Sequence, residues 1–145
     1  METFEKARSF VDRHPATLDQ AVLAEFIAEG HFGNHIQKMR QAYVERLQVL
    51  TDSATDRLAA YLNVENAPAG MRTVAWIKSK LSDRLVADHA ARVGLEVIPV
   101  STFTARYIQK PALILGFAGC NDSEIRRGVS VLEQVFRSVQ EMQVG

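Results

Sequence analysis

The chain contains 145 residues, 47% of them apolar, which is enough for one buried core of ordinary single-domain size. Its 17 basic residues are balanced by 17 acidic ones, so the composition argues against an isolated nucleic-acid-binding module. Because a single cysteine, Cys120, precludes an intrachain disulfide and no signal peptide or apolar run of membrane length occurs, we expect a cytoplasmic protein without membrane contact.

The N-terminal part of the chain is predicted to be helical. Pro15 ends a first short helix, because the residue before a proline is pushed out of helical geometry. Thr17 and Gln20 predict a capping box for the next helix, and Gly30 is a suitable C-terminal stop for it.

A long helix is predicted from Asn34, which Gln37 would help to cap, to about Leu62. Its apolar side chains recur close to the 3.6-residue helical period, at Ile36, Met39, Tyr43, Leu47, Leu50, Ala54 and Leu58. At 1.5 Å per residue such a helix would be roughly 40 Å long. A helix of that length usually bridges two parts of a larger body.

Beyond residue 62 the pattern is that of a small sheet with helices. Residues 63–70 are predicted to form a loop, and the helical spacing of apolar residues over 81–93 stops at Gly94. Pro99 confines any strand that contains it to an edge or an end. Strands are predicted where β-branched, aromatic or continuous apolar residues run together, at 73–77, 96–100 and 113–117.

The last helix is predicted to begin after Asn121, which can form a capping box with Glu124. Its core face is predicted to consist of Ile125, Val129, Leu132, Val135 or Phe136, and Val139. The order of the elements predicts an α/β (α+β) fold, in which N-terminal helices with a long bridging helix precede a small sheet covered by helices.

Four segments resemble, in this order, the aminotransferase-like domain of the MocR-type regulators of the GntR superfamily, which share the fold of the type I pyridoxal-phosphate enzymes. The segments are AEFIAEGHFGNHIQKMRQAYVERL (24–47), PAGMRTVAWI (68–77), GLEVIPVSTF (94–103) and LILGFAGCNDSEIRRGVSVL (113–132). The resemblance implies the C-terminal part of that domain. Residues 1–62 would be the end of the large domain with the interdomain helix, and residues 63–145 the small C-terminal domain. In the family, the Schiff-base lysine and the DNA-binding domain lie upstream of these segments.

One departure from the family pattern bears on function. In type I aminotransferases, the strand before the last helix carries an arginine that pairs with the substrate's α-carboxylate, and Ile114 stands at that position here. Many of the regulators also lack this arginine, so its loss favours a regulator over an enzyme. Phe103 stands where relatives often have a tyrosine. Arg72 and Arg106 are the candidates that could bind a ligand's carboxylate from another direction.

Other residues have simpler structural explanations. Gly116 and Gly119 could form a phosphate cradle, but a dinucleotide fingerprint is missing and a strand-to-helix turn explains them. His31 and His35 are four residues apart, as in some zinc sites, but a predicted helix start separates them. Cys120 has no histidine base beside it in sequence. The lysines lie in no segment like the family's lysine loop and are predicted to be surface residues: Lys6, Lys38, Lys78, Lys80 and Lys110.

These observations lead to a first hypothesis of a regulatory module. The full-length relative would hold pyridoxal phosphate, sense a small amino compound and act on DNA through a domain absent here, while this chain would supply the part that closes over the cleft. The chain itself would then hold no cofactor, metal or catalytic residue. Apolar surface left on the first helices predicts a homo-oligomer, as in a homodimer. The alternatives are a fragment of a type I aminotransferase acting on an amino acid, and a stand-alone α/β interaction domain.

Overall fold

The computed structural model describes Phe4, Lys6 and residues 16–65, 70–103 and 110–144, and the predicted end of the first helix, before Pro15, lies outside them. The chain forms two compact units, one reaching to Arg40 and the other beginning at Gln41. Of the helices in the described part of the chain, none pairs the length with the apolar content that spanning a bilayer requires. The division of the chain at residue 62 into parts of a larger body stays a prediction.

Helix α1 (Thr17–Ala28) ends where the sequence predicts but begins differently. Gly30 has a φ of +82°, a left-handed conformation that glycine adopts without penalty, so the predicted stop is confirmed. The predicted Thr17–Gln20 capping box is wrong, because Thr17 is already helical and the residue before it is Ala16, which has no side-chain acceptor. The backbone N–H of Gln20 donates to the carbonyl of Ala16 at 3.0 Å instead.

Helix α2 (His31–Arg57) begins and ends earlier than predicted. The backbone N–H of Asn34 donates to the carbonyl of Gly30 at 3.0 Å, so Asn34 lies inside the first turn and its predicted capping role is wrong. After Arg57 the chain turns and enters strand β1 (Leu62–Val64), which the sequence pattern places at the end of the helix and the start of a loop. Residues 62–64 therefore pair with another strand of the sheet, whereas the sequence pattern predicts that the helix continues to about Leu62.

The sheet has four strands in the order β1-β2-β4-β3, with every neighbouring pair antiparallel. Strands β2 (Arg72–Ile77) and β4 (Ala112–Gly116) are central and agree closely with two predicted strands. Strand β3 (Ile98–Pro99) lies at the edge, as predicted from Pro99, but it is shorter than the predicted strand. The chain leaves β3 through a 3-10 turn at Val100–Phe103.

The two faces of the sheet have different surroundings. Residues opposite each other in an antiparallel pair project to the same face, and Thr73, Ala75 and Ile77 of β2 are buried while Arg72 is exposed. The buried face packs against the second half of α2, helix α3 (Asp83–Arg92) and helix α4 (Asp122–Val144). The largest fully buried side chains of this core are Phe117, Phe136, Leu58, Ile77, Leu113, Val86 and Val139. The predicted α/β architecture of a small sheet covered by helices is confirmed.

Side-chain hydrogen bonds hold the N-terminal ends of the last two helices. The predicted capping box of α4 is confirmed, since Asn121 Oδ1 accepts from the backbone N–H of Glu124 at 3.0 Å and Glu124 Oε2 accepts from that of Asn121 at 2.8 Å. At the start of α3, the buried carboxylate of Asp83 accepts hydrogen bonds from the backbone N–H and the hydroxyl of Ser101, at 2.9 and 2.8 Å. This pair ties the 3-10 turn after β3 to α3.

Candidate functional site

A cleft of about 350 Å³ lies where the half-exposed face of the sheet meets the turn that leads into α4. Strands β2, β3 and β4 contribute Arg72, Ile98, Ile114 and Gly116, and Glu96 lies before β3. Met71 and the turn over residues 117–120 form the rest of the described lining. Among the described residues, the cleft therefore combines an apolar floor of isoleucine side chains with one cation and one anion.

The register of the sheet brings Arg72 and Ile114 to the same face. Arg72 pairs with Gly116, and Val74, two residues further along β2, pairs with Ile114, which also pairs with Ile98 of β3. Arg72 and Ile114 are thus diagonal neighbours on adjacent strands, within reach of a long side chain. Gly116 opposite Arg72 has no side chain, and a Cβ there would meet nothing within 4 Å, so the guanidinium side of the cleft is open.

The two charged side chains that the described residues contribute to the cleft are not neutralised by other described residues. Among the residues that the structure describes, neither Arg72 nor Glu96 forms an ion pair, whereas Arg57 and Arg137 both pair with Glu133. Both charges of the cleft therefore remain available to a ligand.

The wall of the cleft is held in place from two sides. The backbone N–H of Phe117 donates to the carbonyl of Met71 at 3.3 Å, which joins the wall to the start of β2. The guanidinium of Arg46, on α2, donates to the carbonyl of Ala118. The sequence pattern identified neither Arg46 nor Glu96. Arg46 lies 72 positions from Ala118 along the chain, and the only signal at Glu96 is its place as the first residue of a predicted strand.

The sequence singled out Arg72, Arg106 and Phe103 in connection with ligand binding, and the structure places only Arg72 in the cleft among those it describes. Arg72 lies in the cleft together with Ile114, the residue at the family's arginine position. Arg106 lies outside the described residues. Phe103 ends the 3-10 turn and is 67% exposed.

The structural explanations of the remaining residues agree with their contacts. All five lysines are exposed. His31 pairs with Glu29 at 3.1 Å, His89 Nδ1 lies 2.9 Å from the carbonyl of Leu85, and no group of three or more metal-ligating side chains is found among the described residues. Gly119 belongs to the turn before α4, where Asn121 Oδ1 already accepts from the backbone N–H of Glu124.

A second, apolar cavity of about 250 Å³ lies deeper, between the sheet and α4. Its lining includes Leu95, Leu115, Gly128 and Leu132, and the half-buried Cys120 lies in the lining of both cavities. We regard it as a packing gap of the core, because apolar side chains dominate its lining.

Comparison of the sequence finds regulators and an aminotransferase as relatives. The "Probable rhizopine catabolism regulatory protein MocR" of Rhizobium meliloti is 31% identical over 137 residues, which are 94% of this chain and 28% of that protein. The uncharacterised HTH-type transcriptional regulator YdeL of Bacillus subtilis is 25% identical over 81% of this chain and 26% of its own length. An uncharacterised aminotransferase of Saccharolobus solfataricus is 25% identical over 84% of this chain and 30% of its own. The chain thus spans less than a third of these relatives, and no protein-family model matches it.

Comparison of the structure finds aminotransferases. The α-aminoadipate aminotransferase LysN of Thermus thermophilus superimposes with a TM-score of 0.78 at 20% identity, covering 94% of this chain and 35% of that one. The multiple substrate aminotransferase of Thermococcus profundus gives a TM-score of 0.80 at 20% identity, covering 95% and 34%. At this level of identity the likeness shows a shared fold, that of the corresponding part of type I aminotransferases.

Proposed function

We propose, from the homology of this chain to MocR and other helix-turn-helix regulators with aminotransferase-like domains, that it is the C-terminal segment of a pyridoxal-phosphate-dependent effector domain of a transcription regulator. The observation that carries the proposal is the 31% identity to MocR over 94% of the chain. Ile114 supports it, because an apolar residue lines the cleft at the position where an aminotransferase would carry its carboxylate-binding arginine.

In this proposal the chain closes over a cofactor that residues outside it bind. A Schiff-base lysine must be desolvated so that its pKa falls and its amine becomes nucleophilic, and every lysine of this chain is exposed. These residues therefore do not fit covalent attachment of pyridoxal phosphate, and we expect the isolated chain to be catalytically inactive. Pyridoxal phosphate in the complete protein, a small amino compound as effector and a separate DNA-binding domain are all parts of the proposal.

The proposal includes a homo-oligomer in the cytoplasm. Every described residue of α1 is exposed, and five of them are large and apolar: Leu18, Val22, Leu23, Phe26 and Ile27. An apolar surface of this kind promotes association. The occupant that we propose is a second copy of the chain.

The cofactor part of the proposal is tested with the purified chain. We expect that incubation with pyridoxal phosphate, borohydride reduction and intact mass measurement will give no stoichiometric adduct. A variant with Lys78 and Lys80 both replaced by arginine controls for trace modification of exposed amines. An adduct on one lysine at equimolar cofactor would contradict the proposal.

The second candidate is a fragment of a type I aminotransferase that acts on an amino acid. It is supported by the relative from Saccharolobus solfataricus and by the shared fold with LysN. The genomic sequence upstream of the codon for Met1 separates the two candidates. A basic winged-helix region there supports the regulator, and an aminotransferase large domain without such a region supports the enzyme.

A further inference from the structure

We infer that Arg72 is the carboxylate-binding residue of the cleft. Ile114 stands where aminotransferases have their carboxylate-binding arginine, and Arg72 on the neighbouring strand takes over that role. The inference rests on the proposed function, since it concerns how the same cleft would recognise its small amino compound. It goes beyond the resemblance, which provides no arginine at this position of β2.

The sheet itself provides the geometry. Arg72 and Ile114 project from adjacent strands to the same face, offset by one cross-strand pair, and both line the cleft. Gly116, directly opposite Arg72, leaves the space across the strand pair empty. A guanidinium that starts from Arg72 can therefore extend over the floor formed by Ile98 and Ile114.

Among the described residues, Arg72 lacks the kind of intramolecular partner that holds several other arginines of the second unit. Arg57 bonds Glu133 at 2.9 Å, Arg84 bonds the hydroxyl of Ser101 at 3.1 Å, and Arg46 bonds the carbonyl of Ala118. Arg72 has no hydrogen-bond or ion-pair partner within the described ranges. Its planar guanidinium can therefore bind both oxygens of a carboxylate, which lysine cannot reproduce, and the apolar floor strengthens the pair by displacing water.

Glu96 limits the class of ligand. Its carboxylate lines the same cleft and lacks an ion-pair partner among the described residues. Such a negative charge repels a dianion such as sulfate and attracts a cationic amine. The pair of Arg72 and Glu96 therefore favours a small molecule with one carboxylate and one ammonium group, and the cleft of about 350 Å³ is of a size that suits a small ligand.

The experiment is a side-chain NMR titration of the complete 145-residue chain. Sodium acetate, glycine and sodium sulfate are added separately at constant ionic strength, with sodium chloride as the blank. The Nε–H signal of Arg72 is followed together with the backbone amide signals of Ile98, Ile114 and Gly116, which line the cleft and remain as the readout in the Arg72 variants. We expect saturable shifts with acetate and glycine, and weaker binding of sulfate than of acetate. In Arg72→Gln the affinity for acetate should fall roughly tenfold, and Arg72→Lys should retain only part of it.

Two controls complete the design. Arg92→Gln removes an exposed arginine of α3 that does not line the cleft, and it should leave acetate binding unchanged. Glu96→Gln should raise the affinity for sulfate. Acetate binding that is absent in the unmodified chain, or equal in folded Arg72→Gln, overturns the inference. The proposed function is judged separately by cofactor capture and the upstream sequence, neither of which depends on Arg72.

Discussion

Replacing Gly128 by alanine should stabilise the second unit, and the size of the gain follows from the structure. Gly128 lies within α4, where alanine is favoured over glycine by about 0.5–1 kcal/mol. A Cβ there would have Leu95 Cδ1 as its neighbour at 3.6 Å, an ordinary van der Waals contact, so no clash offsets the gain. The added methyl also enters the apolar cavity, and burial of a group that size contributes up to about 0.8 kcal/mol.

We therefore expect the free energy of unfolding to rise by about 1 kcal/mol and Tm to rise by roughly 3–5 °C. Urea unfolding followed by the fluorescence of Trp76, the single tryptophan of the chain, measures both the midpoint and the slope m. Gly94→Ala is the matched control: its φ of +78° is strained for alanine, and we expect a loss of about 1–2 kcal/mol. If Gly128→Ala lowered the midpoint at unchanged m, the reasoning about open space beside α4 would be refuted.

Three further variants test the anchored turn, the core and the apolar helix. Asp83→Ala should lower the free energy of unfolding by about 2–4 kcal/mol, because it removes the buried carboxylate that accepts from the backbone N–H and the hydroxyl of Ser101. A urea midpoint equal to that of the unmodified chain would contradict this role. Phe136→Ala removes a fully buried ring that stacks on Tyr61, so the free energy of unfolding should fall by about 3–5 kcal/mol, as measured by thermal unfolding. A fall below about 1 kcal/mol would mean that the site is not packed as described. Val22→Lys combined with Phe26→Glu should convert an oligomer to monomer in light scattering without lowering the urea midpoint. A chain that is already monomeric at high concentration would disprove the oligomer.

Some parts of the fold can be read from the sequence because their causes are local. A glycine at a left-handed position ends a helix by its own conformational freedom, which is why the stops at Gly30 and Gly94 are correct. The capping box of Asn121 and Glu124 involves groups three residues apart. The continuous apolar run predicts β4 itself, which is a central strand, but only its face with Leu113 and Leu115 is fully buried, while Ile114 on the other face is half-buried.

The same local rules explain why other predictions are wrong. Thr17 and Asn34 have the side chains of helix caps, but the helix starts are fixed by backbone bonds one or more residues earlier in the chain. Leu62 continues the helical pattern of the sequence, yet it lies in β1 and pairs with Ile77 of β2. No local pattern identifies that partner. The preference of a segment for a strand depends on the neighbours it packs against, so the helical period of the sequence does not report it.

The candidate site shows the same division between sequence and tertiary structure. The sequence alone marked Arg72 as a candidate ligand residue, and the resemblance placed Ile114 at the family's arginine position, but only Ile114 lay inside a predicted strand. The register of β2 and β4 decided that these two side chains share one face, and the return of the chain after α3 brought Glu96 beside them. A one-residue shift in that register would turn Arg72 to the other face, because side chains alternate along a strand with a period of two.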